Sequence, residues 1–145
     1  MMITQIFKRQ DNSYLAMKPP EFMIHKDLGL DPEGYFKFDV WTLGIIMHFL
    51  LVNVHLYEIL FNKEIENISK VEIIEFLVER GVEEGENISE IDFDSANYEN
   101  IPYLLKDILK MCLVLDVDKR ANIDEVLQKI EPILVNRGLI RYLKC

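Results

Sequence analysis

Apolar residues along this chain recur at intervals of three and four, and no convincing run of alternating apolar and polar positions occurs. That period predicts helices and a mainly α fold. The strongest run, Asp39 to Leu51 (DVWTLGIIMHFLL), is apolar on nearly every side, so it predicts a helix buried on most faces. Residues 69–80, SKVEIIEFLVER, set Val71, Ile74, Phe76, Leu77 and Val78 against Glu72, Glu75 and Glu79. Ser69 with Glu72 three later is a capping box, and Gly81 stands where a helix stops. Pro102 opens the next helix, with Leu105, Ile108, Leu109, Cys112 and Leu113 on one face. Asn122 with Glu125 caps the last one, whose stripe is Ile123, Val126, Leu127 and Ile130. Pro132 falls inside that pattern and predicts a kink or an early end.

The rest is punctuation between helices. Residues 1–18 read as irregular or extended. Pro19-Pro20 cannot sit inside a helix but can start one over Glu21–Lys26. Asp27 to Gly34 (DLGLDPEG) is turn chemistry, and residues 82–100 form a long polar connection.

Between Val40 and Tyr57 no residue carries a formal charge. Eighteen such positions reach the lower edge of a membrane span. Thr42, His48, Asn53 and His55 interrupt it, and no Lys/Arg cluster flanks one side, so a buried core helix is the better reading. The opening MMITQIFKRQDNSY lacks the apolar run of a signal peptide.

Composition narrows the class. At 145 residues, half of them hydrophobic, the chain has the size and content of one globular domain. Its formal charge is −9, and the acidity is local: residues 58–99 hold 13 acids and 3 bases, a net of −10. A nucleic-acid role needs the opposite sign. Basic proteins are the partners that this segment would suit, and a solvated acidic face is its simpler meaning. Two cysteines, Cys112 and Cys145, cannot build a disulfide framework, which fits a reducing, intracellular, cytoplasmic setting.

The residues by themselves outline no active site. DVDKRANIDEVL (116–127) has the acids of a calcium loop, but Ala121 stands at the sixth position, Arg120 at the fifth and Leu127 at the twelfth. That loop needs Gly and a bidentate Glu at the sixth and twelfth, and a cation at the fifth repels a cation. His48 and His55, seven apart, lack a third ligand at metal spacing. No Gly-rich phosphate loop and no recognisable nucleophile context occurs.

Three segments in order carry a resemblance. Lys18-Pro19-Pro20-Glu21-Phe22 resembles the A-P-E element of protein kinases, with Pro19 in the alanine place. Asp39-Val40-Trp41-Thr42-Leu43-Gly44-Ile45 resembles the D-x-W-S-x-G-x opening of the central C-lobe helix. Cys112 to Arg120, running on into Ile123–Leu127, resembles the late L-x-x-D-P-x-x-R element and its helix, with Val117 for the usual proline. Order and spacing resemble a Ser/Thr-like kinase C-lobe from the A-P-E element onward. The late helix lacks the C-W pair of the tyrosine group, and Leu43 stands where that group often has Phe. The stretch between Glu21 and Asp39 is longer than the family pattern, and 82–100 is idiosyncratic.

The resemblance implies a division of the chain. Residues 1–18 would be a remnant of the activation segment, 19–135 the C-lobe helices without an N-lobe, and 136–145 a tail. It also implies roles. Glu21 and Arg120 would form a buried ion pair, Asp39 would accept bonds from a catalytic loop, Trp41 would pack beneath the activation-segment end, and Gly44 would permit close approach. On the residues alone, Asp39 reads as an ordinary helix N-cap and Gly44 as a tolerated helix glycine. Met17 and Lys18 would fall in the loop that receives the substrate. Phosphoryl transfer further needs the Gly-rich loop, the strand lysine, H-R-D and D-F-G, and none of these occurs in the 145 residues. The chain alone is therefore expected to be inactive, without catalytic, cofactor or metal residues; ATP and magnesium are expected only of a full-length parent. Either a missing kinase segment or another protein would cover the central helix. The alternatives are a non-catalytic, kinase-derived interaction module and an unrelated helical protein.

Overall fold

The computed structural model of the chain describes residues 17–24 and 32–136. The expected irregular start at 1–16, residues 25–31 and the tail at 137–145 lie outside the described residues. Six α-helices are described: α1 (Pro20–Ile24), α2 (Pro32–Val52), α3 (Leu56–Phe61), α4 (Lys70–Glu79), α5 (Tyr103–Cys112) and α6 (Ile123–Asn136). Short 3-10 turns lie at Ile65–Asn67 and Ala96–Tyr98, and no strand occurs among the described residues. The fold is mainly α. No helix among these residues is long and apolar enough to cross a membrane.

Helix α2 is the axis, and it buries two neighbouring faces. Trp41 and Ile45 join the larger core with Leu56, Tyr57, Ile73, Leu77 and Leu109. Val40 joins a second cluster with Ile108, Cys112, Ala121 and Val126. Met47 and Leu105 touch both. Helices α5 and α6 pack on α2 and on each other, while α1 packs on α4. A third face of α2 stays open: Ile46 is 45% and Leu50 70% exposed. These two lie four apart on one side of the helix.

Local chemistry sets most boundaries. Ser69 Oγ accepts from the Glu72 N–H while the Glu72 carboxylate accepts from the Ser69 N–H. Asn122 and Glu125 repeat this reciprocal pair at α6. His55 does so at α3, its ring nitrogen accepting from Tyr57 N–H and Glu58 accepting from its main chain. Gly81, just past α4, has φ +88°, a left-handed value suited to glycine.

Four expectations are corrected. Helix α2 begins at Pro32, seven residues before Asp39, so residues 32–34 are helical rather than turn. Proline fits the first helical turn, where its missing N–H costs no intrahelical bond. Pro132 does not end α6, which runs through to Asn136. Its ring is exposed, on the side where the carbonyl it leaves unpaired can meet water. On α4 the buried positions are Ile73 and Leu77, and Val71 and Val78 lie outside. The connection at 82–100 is polar in composition but inserts Val82, Ile91, Phe93 and Tyr98 into the core.

Candidate functional site

Five donors fan out from the guanidinium of Arg120, and the surrounding elements use four of them from three directions. Nη1 donates to Glu21 Oε1 at 2.7 Å and Nη2 to Glu21 Oε2 at 2.9 Å. Nη1 also reaches the Lys37 carbonyl at 3.1 Å, and Nε reaches the Val114 carbonyl at 3.0 Å. The two side chains are 0% and 6% exposed. This is the parallel two-bond geometry that guanidinium and carboxylate favour.

Each partner is placed by local structure. Pro19 ends the incoming chain with a carbonyl that accepts from Phe22 and Met23 N–H, which winds α1 and turns Glu21 inward. Arg120 closes a turn in which Asp116 accepts from Lys119 and Arg120 N–H through its main-chain oxygen, and from Asp118 N–H through its side chain. Glu90, from the 82–100 connection, secures the start of that turn by accepting from Leu115 and Asp116 N–H. Burial holds its carboxyl above the usual range despite these bonds. Lys37 adds a bond from Nζ to the Val117 carbonyl.

Trp41 lies fully buried beneath the pair, with the Arg120 guanidinium 5.2 Å from its ring centre. Cation and ring face attract at this range. Tyr57 is near enough to feel both charges, though burial is what chiefly pushes its phenol up. Trp41 Nε1, Tyr57 Oη and His55 Nε2 are buried without a hydrogen-bond partner.

The other singled-out residues spread around this centre. Asp39 is exposed, within α2 rather than at its N-cap, and its carboxylate has no hydrogen bond or ion pair with a described residue. Gly44 is buried against α5, where an added Cβ would meet Cys112 Cβ and Leu113 Cδ2, each at 2.7 Å. Burial raises the Cys112 thiol to about 11. Met17 and Lys18 are half-buried, and the Met17 carbonyl accepts from Thr42 Oγ1 at 3.5 Å.

The two histidines are core groups. His48 Nδ1 lies 2.9 Å from the Val54 carbonyl, which can only accept, so Nδ1 carries the proton. Nε2 then accepts from Tyr98 Oη at 2.8 Å. Burial lowers His48 to about 4 and His55 to about 3. Among the described residues no group of His, Cys, Asp and Glu could hold a metal ion.

Sequence reasoning missed three fastenings: Tyr98 on His48, Glu90 on the 115–116 amides, and Lys37 on Val117. None has a local signature, because each joins positions 25 or more apart. The acidic segment is also partly engaged. Lys110 pairs with Asp94 at 2.9 Å, and Lys63 with Glu72 at 2.5 Å. An open cleft of about 390 Å³ lies between Val54, Glu58, Asn62, Lys63, Glu64 and Asn97.

The arrangement around Arg120 is a fastening in chemical terms. Its charge is neutralised, and four of its five N–H donors are taken up by Glu21 and two carbonyls. Comparison with known proteins finds no matching family model, no matching curated protein and no matching solved structure.

Proposed function

We propose that the chain is the helical part of a Ser/Thr-like protein-kinase domain, a scaffold from the A-P-E element onward in a phosphotransferase. The observation that supports it most is the Glu21–Arg120 pair, doubly bonded and buried, joining positions 99 apart. The family resemblance assigns this pair to these two residues, and periodicity does not. Trp41 beneath the pair and the close approach at Gly44 fit the same reading. Asp39 is exposed, and the resemblance gives it the role of accepting bonds from a catalytic loop. ATP, magnesium and the catalytic base would come from other segments of a parent kinase, since H-R-D and D-F-G do not occur in the 145 residues.

A second reading rests on the open face of α2. Ile46 and Leu50 suit contact with another protein, as in a non-catalytic module derived from a kinase lobe. One experiment separates the two: the 5′ end of the native transcript, read together with the mass of the endogenous protein. An in-frame upstream extension carrying H-R-D and D-F-G supports the kinase. A product of 17.1 kDa from a transcript starting at Met1 removes the enzyme and leaves the module.

A further inference from the structure

Four hydroxyl-bearing Ser and Thr side chains lie among the described residues, and they differ in what their oxygens do. Thr42 donates to the Phe38 and Met17 carbonyls. Ser69 Oγ is bound to the Glu72 amide as a helix cap. Ser95 is half-buried. Ser89 is exposed, and its hydrogen bonds run through the main chain alone: its N–H donates to the Arg80 carbonyl, and its own carbonyl accepts from Arg80 Nη1.

Its surroundings are one-signed. Between 83 and 94 the chain holds six acids and no Lys or Arg. Not all of them are free to be read. Glu90 is folded onto the 115–116 amides, and Asp94 is paired with Lys110. Asp92, three residues after Ser89, is exposed, and only its Oδ1 is engaged, by the Asp94 amide. Glu86, three residues before, is also exposed. The main chain over 88–92 forms neither helix nor turn, with Ile91 turned into the core and Ser89 and Asp92 outside.

We propose that Ser89 is a phosphorylation site for a separate serine/threonine kinase whose substrate groove is lined with basic side chains. The charge of 83–94 supplies attraction, and Asp92 supplies register. Ser89 Oγ attacks the γ-phosphorus of a nucleoside triphosphate. The bond from that phosphorus to the β–γ bridging oxygen breaks, the nucleoside diphosphate leaves, and the hydroxyl proton passes to the kinase's base. The product is a phosphate ester beside Arg80, whose guanidinium already bonds the carbonyls of Ser89 and Glu90 at 3.0 and 2.9 Å. A phosphate there gains charge-assisted bonds from the same group, tightening the junction between α4 and the connection.

The test incubates the full chain with ATP and a purified acid-directed serine/threonine kinase, followed by intact mass and tandem mass spectrometry. One phosphate mapped to Ser89 is the expected result. Ser89→Ala abolishes it, and Ser89→Thr, which keeps the acceptor oxygen, restores it. Asp92→Asn keeps the bond from the Asp94 amide, removes the charge and slows incorporation several-fold. Phosphate found on Ser69 or Ser95 in place of Ser89, no incorporation, or a rate indifferent to Asp92→Asn overturns the proposal. The mapping uses the unaltered chain and does not depend on any variant folding.

Discussion

A methyl group on Gly44 would stand 2.7 Å from the Cβ of Cys112, closer than side-chain carbons approach one another. Cys112 Cβ is the root of its side chain and cannot swing aside without moving α5. Two effects therefore compete in Gly44→Ala. The helix gains about 1 kcal/mol from the better residue. Forcing two packed helices apart costs about 1–3 kcal/mol. Because Cys112 Cβ cannot give way, overpacking wins, and urea unfolding should register a net loss of up to about 2 kcal/mol. A variant more stable than the parent would mean that α2 and α5 do not touch there.

Removing one member of the Glu21–Arg120 pair strands the other charge in the core. Glu21→Gln and Arg120→Met should each cost about 3–5 kcal/mol. The double variant should cost much less than the two losses combined, since neither charge is then left alone. Arg120→Lys should also destabilise, because an ammonium cannot reach both carboxylate oxygens and the Lys37 and Val114 carbonyls together. Additive losses in the double-mutant cycle would show that the two side chains act independently.

Acid should act through His48 and His55. Both are held neutral in the fold, at about 4 and about 3, against 6.5 when exposed. Below pH 6.5 the unfolded chain takes up protons that the folded chain refuses, so stability is full above that pH. It falls as the pH drops toward the folded values. His48 alone should account for about 2 kcal/mol between pH 7 and pH 5. Tyr98 and the Val54 carbonyl face its ring, and neither supplies a compensating negative charge there. Glu90 opposes the trend, since its raised carboxyl favours the folded state as it protonates. Denaturant titrations of His48→Gln should show a flatter pH profile than the parent. An unchanged profile would remove His48 as the cause.

What could be read from the sequence was local or motif-borne. The capping boxes at Ser69 and Asn122 announced two helix starts because a cap needs only four residues to form. The faces of α5 followed from the spacing of Ile108, Leu109 and Cys112. Nothing periodic joins Glu21 to Arg120; only two short motifs, read together, brought them to one place. The start of α2 was hidden because Asp31-Pro32-Glu33-Gly34 is equally good turn chemistry and helix-opening chemistry. The burial of Phe93 and Tyr98 was hidden by the acids around them, since a segment can face water with its charges and the core with a few rings. Short α3 escaped notice because its cap is a histidine, outside the usual capping set.

The 99-position separation of Glu21 and Arg120 also sets an order of assembly. Closing a loop that long costs about 4 kcal/mol in chain entropy, and the bond that repays it forms only after both ends are in place. Neighbours such as α5 and α6 meet across a far shorter stretch. The docking of α1 thus belongs to the last steps of folding and the first of unfolding. In stopped-flow experiments Glu21→Gln should speed unfolding and leave the folding rate nearly untouched. A slowed folding limb would place this distant bond in the nucleus. The fastening that does most to close the fold is also its release point.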